Sequence, residues 1–151
     1  MKDQPYSQQD FADAAKRRAR EARILLDQPD RQKQRDGAVL LALLAAECAL
    51  KAALMYAHRI NNTDEAEASQ HNRWFRGTSG HSLQILWNDQ SAGQHDVAAQ
   101  GMPQAVKELN QLNPYSYRYG QRKPRRAHAE PYVAHADTIV AWMNHITGLS
   151  A

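Results

Sequence analysis

The stretch AVLLALLAAECALKAALMYA, residues 38–57, constrains the fold more than any other part of the chain. Ala and Leu are strong helix formers, and a run this apolar must be covered on almost every side. Ala38 to Ala46 carries no polar side chain, yet Glu47 and Lys51 interrupt the run before it reaches the roughly 20 apolar residues of a membrane span. The segment therefore reads as the central helix of a bundle, and no membrane partner is expected. Glu47 and Lys51 stand four residues apart in the order that favours an ion pair, but an exposed pair of this kind contributes only about 0.3–0.5 kcal/mol. That gain does not account for two charges in the most apolar part of the chain. Either they define the wet stripe of the helix, with the Lys51 stem lying on apolar neighbours and its ammonium reaching solvent, or Glu47 holds a cation from another element.

A chain of 151 residues is long enough to bury a substantial core, and one domain spanning 1–151 is the default. A formal charge of +3 is too small to imply nucleic-acid binding by itself, so its distribution matters more. Cys48 is the single cysteine, which excludes a disulfide framework and fits a reducing, cytoplasmic setting. The opening MKDQPYSQQDFADAAKRRAR lacks the apolar core of a signal peptide.

Other elements follow from period and punctuation. Ser7, with Asp10 three residues on, forms a variant capping box, and Ala12, Ala15, Ala19, Ala22 and Leu26 make a narrow seam on a helix that Pro29 ends. The second helix is expected from after Asp36 to about Arg59, with Ala42, Ala45, Ala49 and Ala52 as the matching seam of a helical hairpin. Residues 61–80 are polar and read as an irregular connection. HSLQILWND supplies a short helix through Leu83, Leu86 and Trp87, and Pro103 opens another. The last helix is expected to enter at Pro131, bury Val133, Ile139, Val140, Met143 and Ile146, and fade at Gly148. No segment shows convincing strand alternation, so the expectation is all-α, a bundle of four to five helices.

AAECALKAAL, GHSLQIL, YSYRYG and PYVAHADTIVAWMNHI, in that order across residues 38–146, resemble the successive blocks of HEPN domains, the higher eukaryotes and prokaryotes nucleotide-binding family. The branch most similar accompanies minimal nucleotidyltransferases; Gly120 replaces the proline of its turn. The resemblance implies an up-and-down helical bundle that homodimerises and takes RNA or nucleotide as partner, in toxin-antitoxin or defence settings. It places Glu47 at the acidic position of the second helix, His81 at the opening of the third, and Arg118 with Tyr119 in the turn before the last. Arg118 is then the first cation expected at Glu47, since a carboxylate fixes a guanidinium at two points, and His81 the second.

Catalytic members carry an Arg followed, after four to six residues, by a His. Arg122 and His128, separated by KPRRA, match that spacing; so do Arg76 and His81, in a place where the family has no catalytic pair. In such a site the RNA 2′-hydroxyl attacks the adjacent phosphate without metal, the histidine moves protons and the arginine stabilises the phosphorane. Pro124 disfavours a continuous helix between the two residues. Whether or not chemistry follows, Arg118, Arg122, Lys123, Arg125 and Arg126, with no acid before Glu130, form the largest set of cations in the chain uninterrupted by an acid and the candidate phosphate-binding turn, residues 117–128. The competing class is a non-catalytic helical partner of a nucleotidyltransferase. His128, His135 and His145 share no helical face with an acid at metal spacing, and no glycine-rich phosphate loop occurs, so neither metal nor cofactor is expected. HNRWFRG interleaves Trp74 and Phe75 with arginines, which suits base stacking or, more simply, fastening a loop to the core.

Overall fold

The computed structural model describes residues 5–28, 32–67, 72–75, 81–90, 99–112 and 126–148, with the side chains of 32–34, 67, 72 and 126–128 outside that description. Six α-helices are present among the described residues: α1 Gln8–Leu26, α2 Gln32–Ala57, α3 Thr63–Glu67, α4 Leu83–Asn88, α5 Met102–Asn110 and α6 Arg126–Thr147. A short 3₁₀ turn covers Asn72–Trp74. No strand occurs among the described residues, only an isolated bridge between Ser7 and Asn62. The chain is an all-helical bundle.

α1 begins where Ser7 and Asp10 exchange bonds. The Asp10 N–H donates to the Ser7 hydroxyl at 3.1 Å and the Ser7 N–H donates to the Asp10 carboxylate at 2.8 Å. All five residues of the α1 seam are buried, from Ala12 to Leu26. They pack on α2, whose Ala38, Ala42, Ala45, Ala49 and Ala52 are fully covered. Side chains this small let the two backbones approach closely. At Gly37 the approach is tight enough that a Cβ would stand 3.2 Å from Leu25 Cδ1.

α2 is the central element, packed against α1, α6 and α4. The stretch Arg35–Ala57 is long and apolar enough to cross a membrane, but 72% of its most apolar window is buried inside the bundle. It starts at Gln32, earlier than the expected position after Asp36. Gln32, Lys33, Gln34 and Arg35 are good helix formers, and they carry the helix through Gly37 in spite of its cost.

The connection at 61–80 is less irregular than its composition suggested, because it opens with α3. The Glu65 N–H donates to Asn62 Oδ1 at 3.0 Å, and Glu65 accepts from the Asn61 N–H at 2.8 Å, which is a capping arrangement that NNTDE encodes. The chain before α1 is laid along this corner: Thr63 N–H donates to the Tyr6 carbonyl at 2.9 Å and Gln8 N–H to that of Asn61 at 3.3 Å.

α6 also departs from expectation, starting at Arg126 with Pro131 inside it. Proline at that depth costs one intrahelical bond and is tolerated because it lies near the N-terminal end. α6 stops at Gly148, whose φ of +66° is left-handed and whose N–H returns to the Asn144 carbonyl at 3.0 Å. Trp87 of α4 and Trp142 of α6 meet edge to face at 5.2 Å, and Arg23 of α1 reaches Asp137 of α6 at 2.8 Å. Val133, Ile139, Val140 and Met143 are buried as expected, while Ile146 is only partly covered.

Candidate functional site

The two charges in α2 form a pair, with Lys51 Nζ 3.3 Å from Glu47 Oε2. They do not define a wet stripe. The Lys51 side chain is 7% exposed and that of Glu47 17%. The expectation that the ammonium reaches solvent is therefore incorrect: Phe75, 5.4 Å from Nζ to its ring centroid, lies under it. A cation over a ring face recovers part of the hydration lost on burial.

Glu47 uses its second oxygen for a partner from another element. Its Oε1 lies 2.7 Å from Nδ1 of His81, just before the Ser82 cap of α4. An ionised carboxylate accepts and cannot donate, so Nδ1 carries the hydrogen of this bond. The bond fixes the ring orientation and leaves Nε2 without a partner among the described residues, on a side chain that is 68% exposed. A buried ammonium, a carboxylate and an accessible imidazole thus form one connected chain from core to surface. Such a chain can position an imidazole to receive or give a proton, or to bind an anion when protonated.

Cys48, beside Glu47, is mostly covered, and burial first, then the Glu47 charge, pushes its thiol up to about 11. It stays a neutral thiol near pH 7 and is unsuited to nucleophilic work. On the α1 side of Cys48 a cavity of about 410 Å³ is lined by Tyr6, Asp10, Phe11, Asp13 and Arg17, with Pro5 and Ala14 between them. Phe11 also meets Phe75 at 5.5 Å, so this cavity and the Glu47 chain share a wall.

The aromatic motif around Trp74 resolves in favour of fastening. Trp74 is 2% exposed and donates its indole N–H to Asp89 at 2.7 Å, with Arg73 pairing to the same carboxylate at 2.6 Å. Trp74 is therefore closed to base stacking. Arg118, Tyr119, Arg122, Lys123 and Arg125 lie outside the described residues, as does Arg76. Arg126 and His128 are in the first turns of α6, so the expected turn at 117–128 gives way to helix at Arg126; their side chains lie outside the description. Of the expected site residues, the structure brings together Glu47, Lys51 and His81. The sequence singled out Phe75 for stacking or fastening but not as a cover for Lys51, and it did not assign Phe11 or the Tyr6 cavity to the site, for which the spacing of Phe11, Ala14 and Arg17 along one face of α1 was the signal available. Among the described residues no group of three metal-ligating side chains occurs. No family model, curated protein or solved structure matches this chain.

Proposed function

We propose that this protein is an RNA- or nucleotide-binding helical protein of HEPN type, and that it is a candidate metal-independent endoribonuclease. The observation that carries this reading is the Glu47–His81 bond. A carboxylate retained inside an apolar helix, at a cost in desolvation, holds an exposed imidazole in one orientation. Two sequence blocks that carry the family resemblance meet at that contact. The basic segment Arg118, Arg122, Lys123, Arg125 and Arg126 supports the same reading, since clustered cations are what a phosphate backbone selects. In the catalytic form Arg122 stabilises the phosphorane and His128 transfers protons.

Incubation with varied single-stranded RNAs in EDTA tests the catalytic form. The expected outcome is cleavage leaving 2′,3′-cyclic phosphate ends, with DNA spared because it lacks the attacking hydroxyl. His128→Ala should abolish cutting while retaining the helical spectrum and most RNA affinity. Full cutting by that variant contradicts the Arg122 and His128 assignment. Binding by the parent without cutting favours the second reading, a non-catalytic module that partners a nucleotidyltransferase. The aromatic cavity along α1 also suits that role.

A further inference from the structure

The cavity at the start of α1 has a chemical character of its own. Its walls offer two aromatic rings, two carboxylates and one guanidinium. Tyr6 is 61% exposed and stands edge-on to Phe11 at 6.2 Å, so a flat ligand can lie against its open face. About 410 Å³ is the size of a small-ligand pocket and exceeds what a single nucleobase needs.

The charges decide which part of a nucleotide enters. Asp10 and Asp13 repel a phosphate and accept from N–H groups. Asp10 is held below its ordinary carboxyl value by the Ser7 backbone N–H, and then by the Ser7 hydroxyl, so it remains an anion. Each carboxylate has one oxygen engaged, Asp10 Oδ2 by Ser7 and Asp13 Oδ1 by Gln9 at 2.8 Å, which leaves the other oxygen of each as an acceptor. Arg17, exposed on α1, supplies the guanidinium of the lining as a donor beside the two acceptors. A base that fits must present adjacent N–H donors on one edge and acceptors on another. Guanine does so: N1–H and the N2 amine face carboxylates, and O6 with N7 suits a guanidinium. Uracil presents one N–H flanked by two carbonyl oxygens, which would face the carboxylates and be repelled.

We propose that the Tyr6–Phe11 cavity is a guanine-selective base-binding pocket, which rests on the RNA-binding reading above and specifies the base that reading would prefer. Tyr6 supplies the stacking face, Asp13 with Asp10 accepts from the N1–H and N2 edge of guanine, and Arg17 donates to O6 and N7 on the adjoining edge. The pocket adjoins the charge chain through Phe11, Phe75 and Lys51, so a base seated there lies on the same side of α2 as that chain.

Calorimetric titration of the full chain with guanosine 5′-monophosphate and with uridine 5′-monophosphate tests it. Guanosine 5′-monophosphate is expected to bind at least about tenfold more tightly, and Tyr6→Ala and Asp13→Asn should each weaken it by about fivefold or more. Both positions are on the surface, and an unchanged circular dichroism spectrum confirms that the variants fold. Equal affinity for the two nucleotides, no binding of the guanosine form, or variants that bind as the parent does would each overturn the proposal. Retention of mixed-sequence single-stranded RNA is measured alongside. RNA bound by parent and both variants alike, with no guanosine preference, refutes the pocket and leaves the RNA-binding reading intact. Guanosine binding without any RNA retention supports the pocket and removes the RNA half of the broader reading, leaving nucleotide as the partner.

Discussion

Glu47 accepts from two partners, the Lys51 ammonium and the His81 imidazole, whereas Lys51 has one carboxylate and the face of Phe75. Loss of Glu47 leaves an ammonium in the core without its counter-charge, so Glu47→Ala is expected to cost about 3–5 kcal/mol in denaturant unfolding. Lys51→Ala should cost less, because the remaining carboxylate keeps His81. His81→Ala should cost under about 1 kcal/mol, since its ring is exposed and screened. Equal losses for Glu47→Ala and His81→Ala would contradict the buried-pair account. Cys48 provides an independent check at this scale. With its thiol at about 11, it should react with an alkylating reagent at pH 8 far more slowly than free cysteine. Unfolding should restore the ordinary rate.

The position of Glu47 was legible in the sequence, since a charge in so apolar a run had few explanations. The fate of Lys51 was not, because burial of a lysine depends on which ring closes over it, and Phe75 arrives from a distant connection.

At the scale of the element, the helices with strong local codes were readable. Ser7 and Asp10 announced the start of α1, and the alanine seams announced its partner. α3 escaped because a single turn has too little periodicity to register, although Asn62 and Glu65 carry its cap. The start of α6 escaped because Pro131 resembles a first-turn residue, and only tertiary packing extends the helix back through buried Ala129. The α1 cap has a definite pH signature. Hydrogen bonds from Ser7 lower the Asp10 carboxyl below its ordinary 3.8, so its contribution to stability is complete above that value and is lost as pH falls through the lowered one. Asp10→Asn should therefore flatten the acid limb of the stability curve, and an unchanged limb would argue against the cap. Within the hairpin, Ala15 is fully covered against α2, and Ala15→Leu should destabilise by about 1–3 kcal/mol through overpacking. Thermal unfolding of that variant checks how close the two helices lie.

For the whole molecule, helix carries the architecture and one connected line of residues, Lys51, Glu47 and His81, links core to surface. The site was only partly legible. The resemblance blocks pointed to Glu47 and His81, but the cavity beside Cys48 is built from residues brought together by the lay of the chain before α1 along α3. Dimerisation, expected from the same resemblance, is a question for sedimentation at high protein concentration, where a mass of twice the chain is the expected result and a monomer at all concentrations would contradict it.

RNA binding itself is tested most directly by the salt dependence of affinity for a single-stranded RNA, followed by fluorescence anisotropy. If the basic segment neutralises three or more phosphates, affinity should fall by about tenfold or more between roughly 50 and 200 mM salt. Replacing Arg122, Lys123, Arg125 and Arg126 with glutamine should weaken binding and flatten that slope. Absence of binding at low salt, or a slope that those replacements leave unchanged, would contradict the proposed function.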